Sequence, residues 1–200
     1  MHISDGILTS EVVIVTTVIS FFCLIYSLRG LKNENIALVS AMSAMFFIAS
    51  FIHIPIGPTQ IHLVLIGVIG MLLGSRVFLS ILIALLLQAT MLGFGGLTSL
   101  GANLFIMAMP AYIIYLVVNR GLLNFVSEKL KFFLIGFLAV LLSTLFLALI
   151  LSLAKDEYIY ASYTIILANI PAMIIEGLVT AFLLNYLKKS IPWVLEEAKL

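Results

Sequence analysis

The chain opens with Met1-His2, a dipeptide that offers three nitrogen donors to one metal ion. The free α-amine has a pKa of about 8, so a useful fraction is deprotonated at neutral pH. The amide nitrogen of His2 is the second donor and its imidazole Nδ1 the third. Amine and amide close a five-membered chelate ring, and amide and Nδ1 close a six-membered one. Three corners of a plane are then filled, and an imidazole from elsewhere can take the fourth. Planar nitrogen sets select Ni(II) and Cu(II), and imidazole also suits Zn and Fe. Calcium and magnesium prefer oxygen, and zinc prefers a tetrahedron. The chelate needs Met1 in place. No basic segment opens the chain as in a secretory signal, since the first basic residue is Arg29. The bulky His2 also disfavours removal of Met1, so Met1 is expected to stay.

Two further histidines offer the fourth corner. His62 opens an apolar run after the turn-rich Ile-Gly-Pro-Thr-Gln stretch, where a rigid scaffold can aim its ring, and it is the preferred ligand. His53 closes the preceding run and reads as an interfacial residue. Thr59 and Gln60, just before His62, are expected beside the ligand ring. Asp5 and Asn103 are candidates to hydrogen-bond a ligand imidazole and fix its tautomer. The glycine-rich stretch from Gly93 to Asn103 lacks the pattern of a phosphate loop and is expected to cover the metal or stack on the run that begins at His62. Glu176 lies inside an apolar run, where a carboxylate must face the protein interior with a partner. Asn103, Asn169 or a backbone group could serve, and Glu176 is not read as a metal ligand. Lone Cys23 sits in an apolar run, so it is a packing residue and supports no disulfide. No His-Glu-x-x-His occurs, so no intramembrane metalloenzyme is expected.

These groups need a scaffold, and composition names it. Hydrophobic residues make up 64% of the 200 and charged ones 10%, against about 45–50% and about 25% in soluble domains. Lipid must take the excess apolar surface. A net charge of +1 argues against nucleic acid. A spanning helix needs about 20 apolar residues, and seven runs are candidates: Val12–Leu28, Asn35–Phe51, His62–Gly74, Arg76–Leu92, Ala102–Asn119, Lys131–Leu153 and Ala161–Leu187. The third is short. The expectation is an all-α membrane protein of one domain, 1–200. Residues 1–11 are its metal-binding segment, 12–187 the bundle and 188–200 a cytoplasmic tail. Alternating connections put Arg29, Lys32, Arg76, Arg120, Lys129, Lys131, Lys188, Lys189 and Lys199 on one face and leave only Lys155 on the other. The basic face is cytoplasmic by the positive-inside rule, so the N-terminus is outside, with all three histidines, and the C-terminus inside. Gly67, Gly70 and Gly74, and separately Ala37, Ala41 and Ala44, form faces of small residues that let helices approach closely. The first reads as internal packing, the second as a docking face for a membrane partner.

Met-His-Ile-Ser-Asp-Gly-Ile-Leu at the start resembles the opening of CbiM/NikM-type substrate-capture (S) components of energy-coupling-factor (ECF) transporters for cobalt and nickel. The resemblance continues through Pro55–Gly67, Gln88–Ala108 and Ile170–Leu187, nearly the whole chain. It implies one N-terminal helix before a six-helix bundle, and Ni2+ or Co2+ held by the Met1 amine, the His2 amide and imidazole, and His62. It also implies a transmembrane coupling (T) subunit, two cytoplasmic ATPases and often a small accessory membrane subunit, in a prokaryotic cell (inner) membrane. The chain carries no nucleotide-binding motif of its own, in keeping with ATP hydrolysis by partners, and no prosthetic group is expected beyond the transported ion. Before the histidine the family usually has small residues, whereas Thr59-Gln60-Ile61 stands here. A self-sufficient secondary transporter or channel is the alternative; it would favour internal repeats and broken helices at the midplane. Nickel and cobalt both fit.

Overall fold

The computed structural model describes residues 2–56 and 59–197, with the side chains of 54–56, 59–61, 196 and 197 left aside. The chain forms helices α1 (Ser10–Arg29) and α2 (Asn33–Ala49), then strands β1 (His53–Ile56) and β2 (Thr59–His62). Helices α3 (Ile66–Leu73), α4 (Val77–Leu87), α5 (Leu100–Asn119), α6 (Glu128–Ala154), α7 (Tyr158–Ala168), α8 (Ile170–Ser190) and α9 (Pro192–Glu197) follow. A 3-10 turn, Gly74–Arg76, joins α3 to α4, and a π-turn, Gln88–Leu92, ends α4. Among the described residues, five helical stretches are long and apolar enough, by length and composition, to cross a membrane: α1, Ile66–Leu92 counted through its turn at Gly74, α5, α6 and α8. α2 and α7 are shorter apolar helices.

The short third run is the centre of the bundle. All eight residues of α3 are buried. Its glycines permit this: a Cβ on Gly70 would lie 2.5 Å from the Ala111 carbonyl oxygen of α5, and one on Gly67 would lie 2.9 Å from Gly136 Cα of α6. Packing at backbone distance replaces the hydrophobic drive that lipid removes. α6 and α8 run antiparallel along their length, with Gly136 against Thr180 and Lys188 paired to Glu128 at one end.

Three features differ from the sequence expectation. The run from His62 to Gly74 is helical only from Ile66, because His62 belongs to a strand and Leu65 takes a left-handed conformation at φ 56°. The seventh run is broken at Asn169 into α7 and α8. Pro171 lies at the start of α8 and has no N–H to give to the preceding turn, which ends a helix ahead of it. The loop between α2 and α3 is a two-stranded antiparallel hairpin, with Ile54 opposite Ile61 and His53 opposite His62. Ile-His-Ile-Pro-Ile around Gly-Pro carries the alternation and turn residues of such a hairpin.

Candidate metal centre

The N-terminal segment is docked, not trailing. Ile3, only 2% exposed, is gripped by the Asn103 carboxamide. Ile3 N donates to Asn103 Oδ1 at 2.8 Å, and Asn103 Nδ2 donates to Ile3 O at 2.9 Å. Ser99 Oγ donates to the same carbonyl at 2.8 Å. An amide side chain has one donor and one acceptor side by side, which matches the N–H and C=O of a single extended residue. Asp5 clamps the other side of the loop. Its Oδ1 accepts from Thr98 Oγ1 at 2.5 Å and from Ser99 N at 3.0 Å. The Thr98 hydroxyl is the main reason the Asp5 carboxyl titrates below its ordinary range. The sequence reading expected Asn103 and Asp5 to hydrogen-bond an imidazole; their hydrogen bonds go elsewhere. Both bind backbone or hydroxyl groups that anchor the segment and the glycine-rich loop to each other.

Anchoring Ile3 sets the place of His2. The His2 ring stacks on His62, with centroids 5.4 Å apart and planes at 17°. Phe94, from the glycine-rich loop, stacks against it at 6.1 Å. His62 leads into the start of α3 and Phe94 follows the end of α4. A helical stretch of 27 residues, extended at about 1.5 Å each, could not bring both to His2. The chain therefore folds back at Gly74, whose φ of 56° suits a glycine, and α3 and α4 are opposed arms. Gly95, at φ 74°, closes the loop over the segment. A Cβ there would lie 2.9 Å from Asn103 Nδ2 and 3.7 Å from His2 Cβ.

Both ring nitrogens of His2 are buried and have no hydrogen-bond partner among the described residues. Burial is the main cause of its pKa falling from 6.5 to about 2, and that of half-buried His62 falling to about 4. Both imidazoles are neutral at physiological pH, the form that ligates metal. His62 Nδ1 lies 3.2 Å from the Leu63 carbonyl. His53, directly opposite in the hairpin, is exposed and sets its ring edge-on to His62 at 6.1 Å.

Glu176 reaches the same end of the molecule from α8. Its carboxylate accepts from Val64 N and from Leu65 N, the latter at 3.0 Å. Of the three partners considered from sequence, the backbone group is the one present, and Asn103 and Asn169 are not involved. Glu176 thus caps the buried amides just before α3 and holds the left-handed turn that follows His62. Met1 lies outside the described residues. Thr59 and Gln60 fall in β2, but their side chains lie outside the described set. Among the described residues no three His, Cys, Asp or Glu side chains form a metal cluster. Sequence reasoning missed Phe94, Thr98 and Ser99. The signal was present: an aromatic and two hydroxyls stand in a glycine-rich loop on the face of the histidines.

A model of a cobalt uptake substrate-specific transmembrane region, the CbiM family, matches residues 2–194. The chain belongs to this family. A protein of Haemophilus influenzae, provisionally named for metal transport, is 30% identical over 203 residues, covering 100% of this chain and 98% of that one. A fused protein of Archaeoglobus fulgidus, provisionally named for nickel transport as NikMN, is 27% identical over 203 residues, 98% of this chain and 68% of its own length. Of solved structures, a transition metal transporter superposes with a TM-score of 0.81 at 23% identity, over 94% of this chain and 93% of the other. That likeness speaks for the fold. CbiM-family membership makes metal handling the chemistry against which the His2–His62 pair is to be judged.

Proposed function

We propose that this chain is the substrate-capture subunit of an energy-coupling-factor importer for Co2+ or Ni2+. One observation carries the reading: His2 is pinned in the bundle with both imidazole nitrogens buried and without a hydrogen-bond partner among the described residues, against the ring of His62. Buried polar atoms without partners are rare in folded proteins, and an ion that enters and leaves is a sufficient reason for them. In this reading the ion is held by the Met1 amine, the His2 amide nitrogen and imidazole, and the His62 imidazole. The clamps at Asn103 and Asp5 spend their hydrogen bonds on holding the chelating segment, and Glu176 holds the loop that brings the fourth donor. The chain crosses the membrane seven times, with α3 as a thin third crossing, the histidines outside and the basic connections inside. Metal enters from outside. Reorientation of the bundle by a transmembrane coupling subunit and two ATPases releases it inward. A family named for cobalt uptake and a relative named for nickel transport support either ion as cargo.

Protein purified with a native, untagged N-terminus should carry one Ni2+ or Co2+ per chain, with an optical spectrum that distinguishes planar Ni(II) from Co(II). His2→Ala should abolish tight binding. So should an added residue before Met1, which moves the amine and leaves His2 intact. Tight binding by the extended protein would refute the chelate. Uptake into liposomes by this chain alone would favour the secondary transporter instead.

A further inference from the structure

The three histidines form a file that runs from solvent to interior. His53 is exposed, His62 is half-buried, and the ring nitrogens of His2 are sealed. Successive centroids are 6.1 Å and 5.4 Å apart. Two imidazoles on one ion, with metal–nitrogen bonds of about 2.0–2.1 Å and ring nitrogens about 1.2 Å from the centroid, have centroids about 4.5–6.4 Å apart. The outer spacing, between rings set at 65°, lies in that window. The hairpin register creates the outer pair, since residues directly opposite on antiparallel strands share a face.

The tautomers agree. His53 Nδ1 lies 3.1 Å from the Phe51 carbonyl, and His62 Nδ1 lies 3.2 Å from that of Leu63. A carbonyl oxygen only accepts, so in each ring Nδ1 carries the proton and Nε2 the lone pair. Donation of the second ring N–H to a backbone carbonyl is the usual setting of a metal-ligating histidine. Burial of the inner site and the need to ionise an amide both slow direct capture there. A two-imidazole site at the surface is fast and weak, as a reception point needs to be.

We infer that His53 and His62 form an outer reception site for the divalent transition metal, from which His62 passes the ion to His2. This rests on the transport reading above, and its test separates the two. In stopped-flow measurements with Ni2+ or Co2+ on untagged protein, His53→Ala should lower the association rate about tenfold and leave the equilibrium affinity within about twofold. His53→Asn keeps a donor for the Phe51 carbonyl and lacks a comparable ligand, so it should be equally slow. In calorimetry, His2→Ala should retain a weaker site for one ion per chain, and that site should vanish in His2→Ala/His53→Ala. An unchanged association rate in His53→Ala overturns the proposal. So does a wild-type rate in His53→Asn, a loss of affinity through faster release, or residual binding in His2→Ala that ignores His53. If wild-type protein has no tight site but the weak one depends on His53, the capture chelate fails and the reception site stands.

Discussion

His2 and His62 are kept neutral by burial, and that choice has a stability consequence. Their pKa values fall from an ordinary 6.5 to about 2 and about 4. The folded protein binds fewer protons than the unfolded chain wherever pH lies between the two values. The stability contributed by the neutral rings is therefore complete above about pH 6.5 and is lost as pH falls from there towards about 4 for His62, and further for His2. The metal-free protein should melt at a lower temperature at about pH 5 than at about pH 7. Replacing both histidines by glutamine should flatten that part of the profile. A metal-free melting temperature with equal slope in the double variant would show that the two rings are not held neutral by the fold. The neutral rings also explain why the site needs its own grip on the chain. Among the described residues nothing polar holds the His2 ring, and Asn103 and Ser99 hold its neighbour Ile3 instead.

At the scale of elements, α3 and α8 meet through one carboxylate. Glu176 satisfies Val64 N and Leu65 N, and Leu65 is the one non-glycine residue with positive φ among those described. A left-handed backbone costs such a residue about 1–2 kcal/mol, and each buried amide left without an acceptor costs about 1–3 kcal/mol. Glu176→Ala should therefore lower the melting temperature and weaken metal affinity about 10- to 100-fold, the usual range for a group that orients a ligand. Glu176→Gln keeps an acceptor oxygen and should lose less. Adding Leu65→Gly to Glu176→Ala should recover part of the affinity, because glycine adopts that turn without strain. Equal binding in the Glu176→Ala and wild-type proteins would remove the carboxylate from the site's support. The sequence made Glu176 stand out by the cost of a charge in an apolar run, but its partner was not legible. Val64 and Leu65 lie 112 and 111 residues away and contribute main-chain atoms, which carry no sequence signature. The same holds for Asn103, whose partner is the backbone of Ile3. What could be read was composition and the length of the apolar runs, hence helices in a membrane, and the association of His2 with His62, whose rings meet. The break at Asn169 and the His53–His62 pairing were written in Pro171 and in the alternation around Gly57-Pro58, and both were masked by the hydrophobicity of their surroundings.

At the scale of the molecule, the histidines and the small-residue strip of α2 lie on different surfaces. The histidines and the loop over them occupy one end, whereas Ala37, Ala41 and Ala44 lie exposed along the side of α2. In the same helix Val39, Ser43 and Phe46 are buried, with Ser43 Oγ donating to Ser80 Oγ of α4 at 3.2 Å. One face of α2 is thus committed to the bundle, and the opposite one is an exposed strip of small side chains. In lipid, such a strip lets a second helix approach to backbone distance, and a large side chain there blocks it. If this is where the coupling subunit docks, Ala41→Phe should leave metal binding by the isolated chain unchanged, because α2 supplies no group to the His2–His62 centre. The same change should abolish copurification with the coupling subunit and the ATPases, and reduce metal uptake by cells to background. Full uptake by Ala41→Phe would place docking elsewhere, while loss of metal binding by the isolated chain would show that α2 supports the site and not the partner.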